Sequence, residues 1–159
     1  SGYVVDVAQH DGNTMLEAGD VVVVSGSGPA VVGEIPLVKV RRAEVAETRG
    51  VIGVVDQRYE STSRPAASKD GTDVKVDTKI DDSAVLPGDY LTVVTLGSFK
   101  AIKVDASYGA IGPGDLLVAS LNPGYAMRSE SPKPGTIVGK ALDRLESGTG
   151  TIPVVVTLQ

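Results

Sequence analysis

The chain has 159 residues and is 22% charged, 42% hydrophobic and 4% aromatic, with no Cys, one His, nineteen Gly and nine Pro. The lack of Cys excludes disulfide frameworks, thiolate metal sites and cysteine nucleophiles, and the single His10 leaves a histidine metal cluster without a second ligand. A net charge of −5 argues against nucleic-acid binding, because neutralising phosphates needs a surplus of Lys and Arg.

Valine is about one residue in six, and β-branched side chains favour pleated, half-buried surfaces. In chain order, Gly2 to Val7, Asp20 to Ser25, Ala30 to Val32, Pro36 to Val40 and Gly50 to Asp56 read as strands. The same holds for Asp73 to Asp77, Tyr90 to Leu96, Phe99 to Val104, Asp115 to Ser120, Tyr125 to Arg128, Thr136 to Arg144 and Ile152 to Leu158. Turn residues recur about every ten positions, the spacing of a sandwich or barrel. Ser25-Gly26-Ser27-Gly28-Pro29 reads as a hairpin connection, and the continuous apolar run Ile152 to Val156 as a central strand covered on both faces. Arg41 to Arg49 alone has a helix-favouring composition, but it is short and is expected to form a loop or one or two turns. Ser61 to Thr72 (STSRPAASKDGT) has no core residue and reads as a long exposed loop or a flexible linker. No apolar run approaches the roughly 18 residues of a membrane-spanning helix.

Three segments share one phrase, a turn followed by Gly-Asp and a strand. They begin at Glu17-Ala18-Gly19-Asp20, Leu86-Pro87-Gly88-Asp89 and Gly112-Pro113-Gly114-Asp115. Gly takes the positive-φ position of such a turn, and Asp bonds local backbone as the strand begins. A second phrase, Gly50-Val51-Ile52-Gly53-Val54-Val55-Asp56, is echoed from Gly135 to Asp143. Together they point to a duplicated β unit, with copies near residues 16 to 61 and 112 to 158. The fold expected is all-β, two related small barrel-like or sandwich-like units with little helix. The division is 1–61 for the first unit with its N-terminal strand, 62–85 for an exposed loop and connecting strand, and 86–159 for the second unit.

Catalytic chemistry finds little purchase. His10-Asp11-Gly12-Asn13 reads as a polar turn, and no G-x-S-x-G elbow is present to complete a serine triad. A Ser–Lys pair through Lys140 is the residual nucleophilic arrangement. Asp70, Asp73, Asp77, Asp81 and Asp82 lack the ligand alternation and closing Glu of a calcium loop and read as solvated charge, with a weak cation site as the lesser alternative. No Gly-rich turn leads into a helix that would cradle phosphate. No cofactor or metal is expected. Tyr108 and Tyr125 flank the third Gly-Asp strand and are suited to capping a barrel end, to an interface or to stacking on a sugar.

The run Val104-Asp105-Ala106-Ser107-Tyr108-Gly109-Ala110-Ile111-Gly112-Pro113-Gly114-Asp115, with Pro123-Gly124-Tyr125, Gly135 to Leu142 and Leu145 to Gly150, resembles a β-rich C-terminal module of bacterial fibre-like surface proteins. The likeness covers residues 86 to 159 and is looser over 16 to 60. More distantly, the chain is similar to the C-terminal assembly domain, a self-cleaving chaperone, of phage appendage and tail-spike proteins. No self-cleavage nucleophile has a counterpart here. The resemblance implies a non-enzymatic structural module.

The expected function is a self-assembling subunit of an extracellular filament, fibre or virion-like appendage, at a cell surface or on a virion, joined to copies of itself through strand pairing. Residues Tyr3, Val4, Val5 and Val7 lack a hairpin partner before Asp20 and are the expected interface, with Tyr108 and Tyr125. Deleting residues 1 to 8 is expected to abolish polymer and leave a folded monomer. The alternatives are a glycan-binding fibre tip using Tyr108, Tyr125 and the Ser61 to Thr72 loop, and an autoproteolytic assembly chaperone cut just before Ser1. The partners expected are the chain itself and, in the first alternative, a surface glycan, with neither nucleic acid nor membrane insertion.

Overall fold

The computed structural model describes residues 2–29, 33–59 and 84–159, together with two short strands inside the intervening segment. The strands are β1 (Tyr3–His10), β2 (Leu16–Glu17), β3 (Val21–Gly28), β4 (Leu37–Arg42), β5 (Val51–Tyr59), β6 (Ala66–Ala67), β7 (Asp73–Val74) and β8 (Ala84–Val85). They continue with β9 (Tyr90–Asp105), β10 (Leu116–Ala119), β11 (Ala126–Arg128), β12 (Ile137–Ala141) and β13 (Thr149–Thr157). Among the described residues the helical content is one 3-10 turn, Ala106–Tyr108. The chain is all-β, as the valine-rich, turn-punctuated sequence predicts.

Nine strands form one sheet in the order β1-β4-β3-β5-β9-β11-β10-β12-β13, and two further pairings, β1 with β9 and β9 with β13, close it twice. The first closure is a five-stranded ring, β1-β4-β3-β5-β9, and the second is β9-β11-β10-β12-β13. The rings match strand for strand. In each, the first strand runs parallel to its third-in-sequence neighbour (β1 with β4, β9 with β11), and every other pair is antiparallel. The short β2–β8 pair, Leu16 opposite Val85, has its counterpart in the bridge between Ile111 and Leu145. Duplication is therefore visible in the pairing itself.

The two rings share β9. Residues 90–97 pair with β1 and residues 90–94 with β5, whereas residues 96–105 pair with β13. The sequence breaks this strand in two at Leu96-Gly97-Ser98, and the structure does not. Gly97 adopts φ 101°, which kinks the strand without reversing it, and the Ser98 N–H bonds the Gly2 carbonyl at 2.7 Å. A Cβ at Gly97 would overlap that carbonyl oxygen. The pairing thus places the junction of the two units at Gly97, and the division at 62–85 does not coincide with it.

Two further expectations change. The strand β3 runs on through Gly26-Ser27-Gly28, with a register shift between Val24 and Gly26, so this glycine segment is a bulged strand and not a hairpin turn. In β13 the burial alternates, with Ile152, Val154 and Val156 inside and Pro153 and Val155 half-exposed, so its apolar run is covered on one face. Pro153 sits in the shift between Ile152 and Val154, where its missing N–H costs no ladder bond. The segment after β4 is turns and bends, as its composition predicts. Ala30 to Val32 and most of Ser61 to Asp82 lie outside the described residues.

Two cores follow from two rings. Ala8, Leu16, Val22, Val40, Val55, Val85, Leu91 and Val93 fill the first. Phe99, Ile102, Val104, Leu117, Val138 and Ile152 belong to the second, which also takes in Val21, Ala43, Val51, Val54 and Val94 from the first unit. Each Val, Leu, Ile or Phe among them contributes about 1.5–3 kcal/mol by leaving water. The seam between the units is therefore packed as core. Gly53 and Gly139, the matched glycines of the repeated phrase, occupy equivalent close approaches. A Cβ on either would overlap a carbonyl oxygen of the adjacent strand, Val94 and Val155 respectively.

The Gly-Asp phrase is one recurring object. Gly19, Gly88 and Gly114 have φ of 93°, 90° and 92°. In each turn the Asp carboxylate accepts the N–H three residues back, at 2.8, 2.9 and 2.8 Å. The Gly N–H then donates to a carbonyl at Val55, His10 or Ala141, whose own N–H donates to the Asp carbonyl. Each turn is thereby clipped onto a strand of its own ring.

Candidate interaction surface

The expected interface residues Tyr3, Val4, Val5 and Val7 lie on β1, paired within the chain to β9. The segment without a hairpin partner before Asp20 finds one far along the sequence. Its side chains stay largely in solvent: Tyr3 is 45%, Val4 53% and Val5 37% exposed. Val4 stands opposite Leu96, and Leu96 opposite Thr157. An exposed apolar pair therefore spans β1 and β9, with Thr157 beside it on β13 and Leu96 itself 56% exposed. The Tyr3 ring meets the buried Phe99 edge to face at 5.1 Å, which ties the start of β1 to the second core. On its outer edge β1 pairs with β4 only at residues 8–10, so residues 3–7 have no strand beside that edge among the described residues. Sequence reasoning missed Leu96, whose signal was a large apolar residue beside the Gly97 kink.

Tyr108 and Tyr125 are not gathered with β1. Tyr108 ends the 3-10 turn and is 45% exposed. Tyr125 is half-buried at the seam, with the Lys103 ammonium 5.4 Å from its ring centroid. Here the two units are tied by charge. Lys103 on β9 pairs with Asp20 at 2.9 Å and with Glu17. The Asn122 amide donates to Asp105 at 3.0 Å, and the Gly124 N–H donates to the Ala43 carbonyl at 2.8 Å while its own carbonyl accepts the Val21 N–H at 2.9 Å. Burial pushes the Asp20 carboxyl above its ordinary range, against its bonds to Glu17 and Lys103. For Lys103 burial works downward, but the bonds to Glu17 and Asp20 outweigh it and the ammonium is held above its usual value. Burial works upward on Asp105 as well, yet bonds from Ser107 and Asn122 prevail and keep its carboxyl below the ordinary range. A cleft of about 500 Å³ opens over this seam, with Met15, Glu17, Arg42 and Tyr125 on its walls. The sequence does not single out Lys103, because one lysine in a strand carries no motif.

His10 belongs to β1 and not to the turn that follows it. It is buried at the end of β1, where Nδ1 accepts the Gly12 N–H at 3.1 Å and Nε2 faces the Thr14 carbonyl. Both ring nitrogens are spent on shaping the following loop. Lys140 is exposed on β12, opposite Val155 and Leu116. Among the described residues no three His, Asp or Glu side chains are grouped to hold a metal ion. The side chains of Asp70, Asp73, Asp77, Asp81 and Asp82 lie outside the described residues.

No family model matches the chain, and no curated protein matches it. Among solved structures it is similar to the head fiber gp8.5 N base of bacteriophage phi29, at 17% identity over 97% of this chain and 93% of that one, with a TM-score of 0.49.

Proposed function

We propose that the chain is a non-enzymatic structural subunit of an extracellular or virion-borne fibre, filament or appendage, and that it assembles with copies of itself through β1. The observation that carries the reading is the exposed apolar pair Val4 and Leu96 beside a stretch of β1 whose outer edge has no strand among the described residues. Exposed strand edges that carry apolar side chains are templates for pairing with another chain. The glycan reading has less support, because Tyr125 is engaged with Lys103, and the autoproteolytic reading rests on no residue described in the structure.

Deleting residues 1 to 8 does not isolate the interface. It would remove a strand of the first ring and the buried Ala8. Val4→Asp with Leu96→Asp alters only exposed positions. Light scattering and negative-stain microscopy of the parent should show species larger than a monomer that grow with concentration, and the double variant should reduce them at unchanged circular dichroism. A parent that stays monomeric at high concentration would overturn the reading.

A further inference from the structure

The three Gly-Asp turns share one backbone but not one set of neighbours. The carboxylates of Asp89 and Asp115 lie beside guanidinium groups, Arg58 at 3.5 Å and Arg128 at 3.4 Å. A guanidinium stays protonated in proteins and offers no lone pair for attack. Asp20 instead faces a lysine, with its Oδ1 2.9 Å from the Lys103 Nζ. Its turn also carries a second acid: Glu17 stands where Leu86 and Gly112 stand in the other two. The Glu17 carboxylate pairs with the same ammonium. The Lys103 and Asp20 side chains are 12% and 4% exposed, and the Tyr125 ring lies against the nitrogen. The second oxygen of Asp20, Oδ2, accepts the Glu17 N–H at 2.8 Å. A sheltered amine, a carboxyl beside it, an acid to move protons and a backbone donor on the remaining oxygen are the parts that amide condensation requires.

We infer that Lys103 and Asp20 condense into an amide that joins the two units covalently across their seam, with Glu17 as the acid–base group. In the structure the two are an unreacted ion pair. One ammonium proton passes to Oδ1 and leaves a neutral amine and a neutral acid. The Nζ lone pair attacks Cγ, and the charge that develops on Oδ2 is held by the Glu17 N–H. Glu17 takes the second proton from nitrogen and returns it to Oδ1. The Cγ–Oδ1 bond breaks, Oδ1 departs as water, and the third proton stays on the amide nitrogen. Burial favours the neutral acid at Asp20, whereas its carboxylate neighbours hold Lys103 charged, so the reactive pair is a minor form and the bond forms slowly. Holding the groups together offsets that scarcity, since well-placed intramolecular pairs react as though at roughly 10⁵–10⁸ M. The bond lies within one chain and is independent of assembly through β1.

The test is the intact mass of the full chain, read on purification and after prolonged incubation at neutral pH. The parent should lose the mass of one water, and proteolysis should release a branched peptide joining Lys103 to Asp20. Lys103→Arg keeps the positive charge and cannot form the bond, so its mass should stay unmodified. Glu17→Gln changes an exposed side chain and should slow cross-linking by about a hundredfold at unchanged circular dichroism. A parent that keeps its unmodified mass throughout would overturn the inference. A water loss that persists in Lys103→Arg would also overturn it, by placing the dehydration elsewhere, as at a succinimide of Asp11-Gly12. Cross-linking as fast in Glu17→Gln as in the parent would overturn the role given to Glu17.

Discussion

The turns at residues 17–20 and 112–115 have the same backbone, the same glycine φ and the same carboxylate bond, yet they differ in surroundings. Asp20 is 3% exposed and salt-bridged to Lys103. Asp115 is half-buried and lies 3.4 Å from Arg128, itself partly exposed. The local chemistry of a Gly-Asp turn is therefore portable, and its energetic weight is set by what it docks against. A buried ion pair stripped of one partner is costly, whereas an exposed pair is worth little.

The sharpest way to break this comparison is to remove each carboxylate. Asp20→Ala should destabilise the fold by about 3 kcal/mol, since it strips Lys103 of a buried partner and the turn of its bond. Asp115→Ala should cost about 1 kcal/mol, the worth of the turn bond. Equal losses in urea denaturation would mean that the seam contributes nothing to Asp20. Gly53→Ala and Gly139→Ala test the sameness of the two units instead. Each forces a Cβ against a strand carbonyl and should cost about 2–3 kcal/mol, and the two denaturation midpoints should fall together.

Acid sharpens the seam. The Asp105 carboxyl sits below its ordinary value, so its contribution is complete above about pH 4, the unfolded value. It is lost as pH falls through the folded pKa. Asp105→Asn should be less stable than the parent at pH 7, and the gap should narrow towards pH 2. Asp20 has the opposite sign. Its raised carboxyl takes up a proton more readily folded than unfolded, so its own titration favours the fold on acidification. The smallest effect is expected at Gly114→Asn, under about 1 kcal/mol, because Asn tolerates positive φ and nothing crowds the site. Gly19→Asn should cost more, because its Cβ would press on Lys103.

Much of the candidate surface was legible. Nothing nearby in the chain can pair with residues 3–7, and the side chains of residues 3–6 are exposed. Their partner β9 was not legible, since its register with β1 is set by contacts some ninety residues apart. Tyr125 misled for the same reason, because its cation neighbour comes from another strand. Leu96 was hidden by the glycine after it, which reads as a strand end. Gly97 instead lets β9 bend from one ring into the other, and only the converging β1 and β13 reveal this.

The sequence by itself determined the all-β class, the three Gly-Asp turns and the matched glycine phrases. These depend on bonds between residues a few positions apart and on a periodicity carried by each segment. The tertiary structure alone decided that β9 is one strand serving two rings, that the units join at Gly97, and that Asp20 is buried while Asp115 is not. Those outcomes depend on which distant edges and faces meet, and identical local turns carry no record of that.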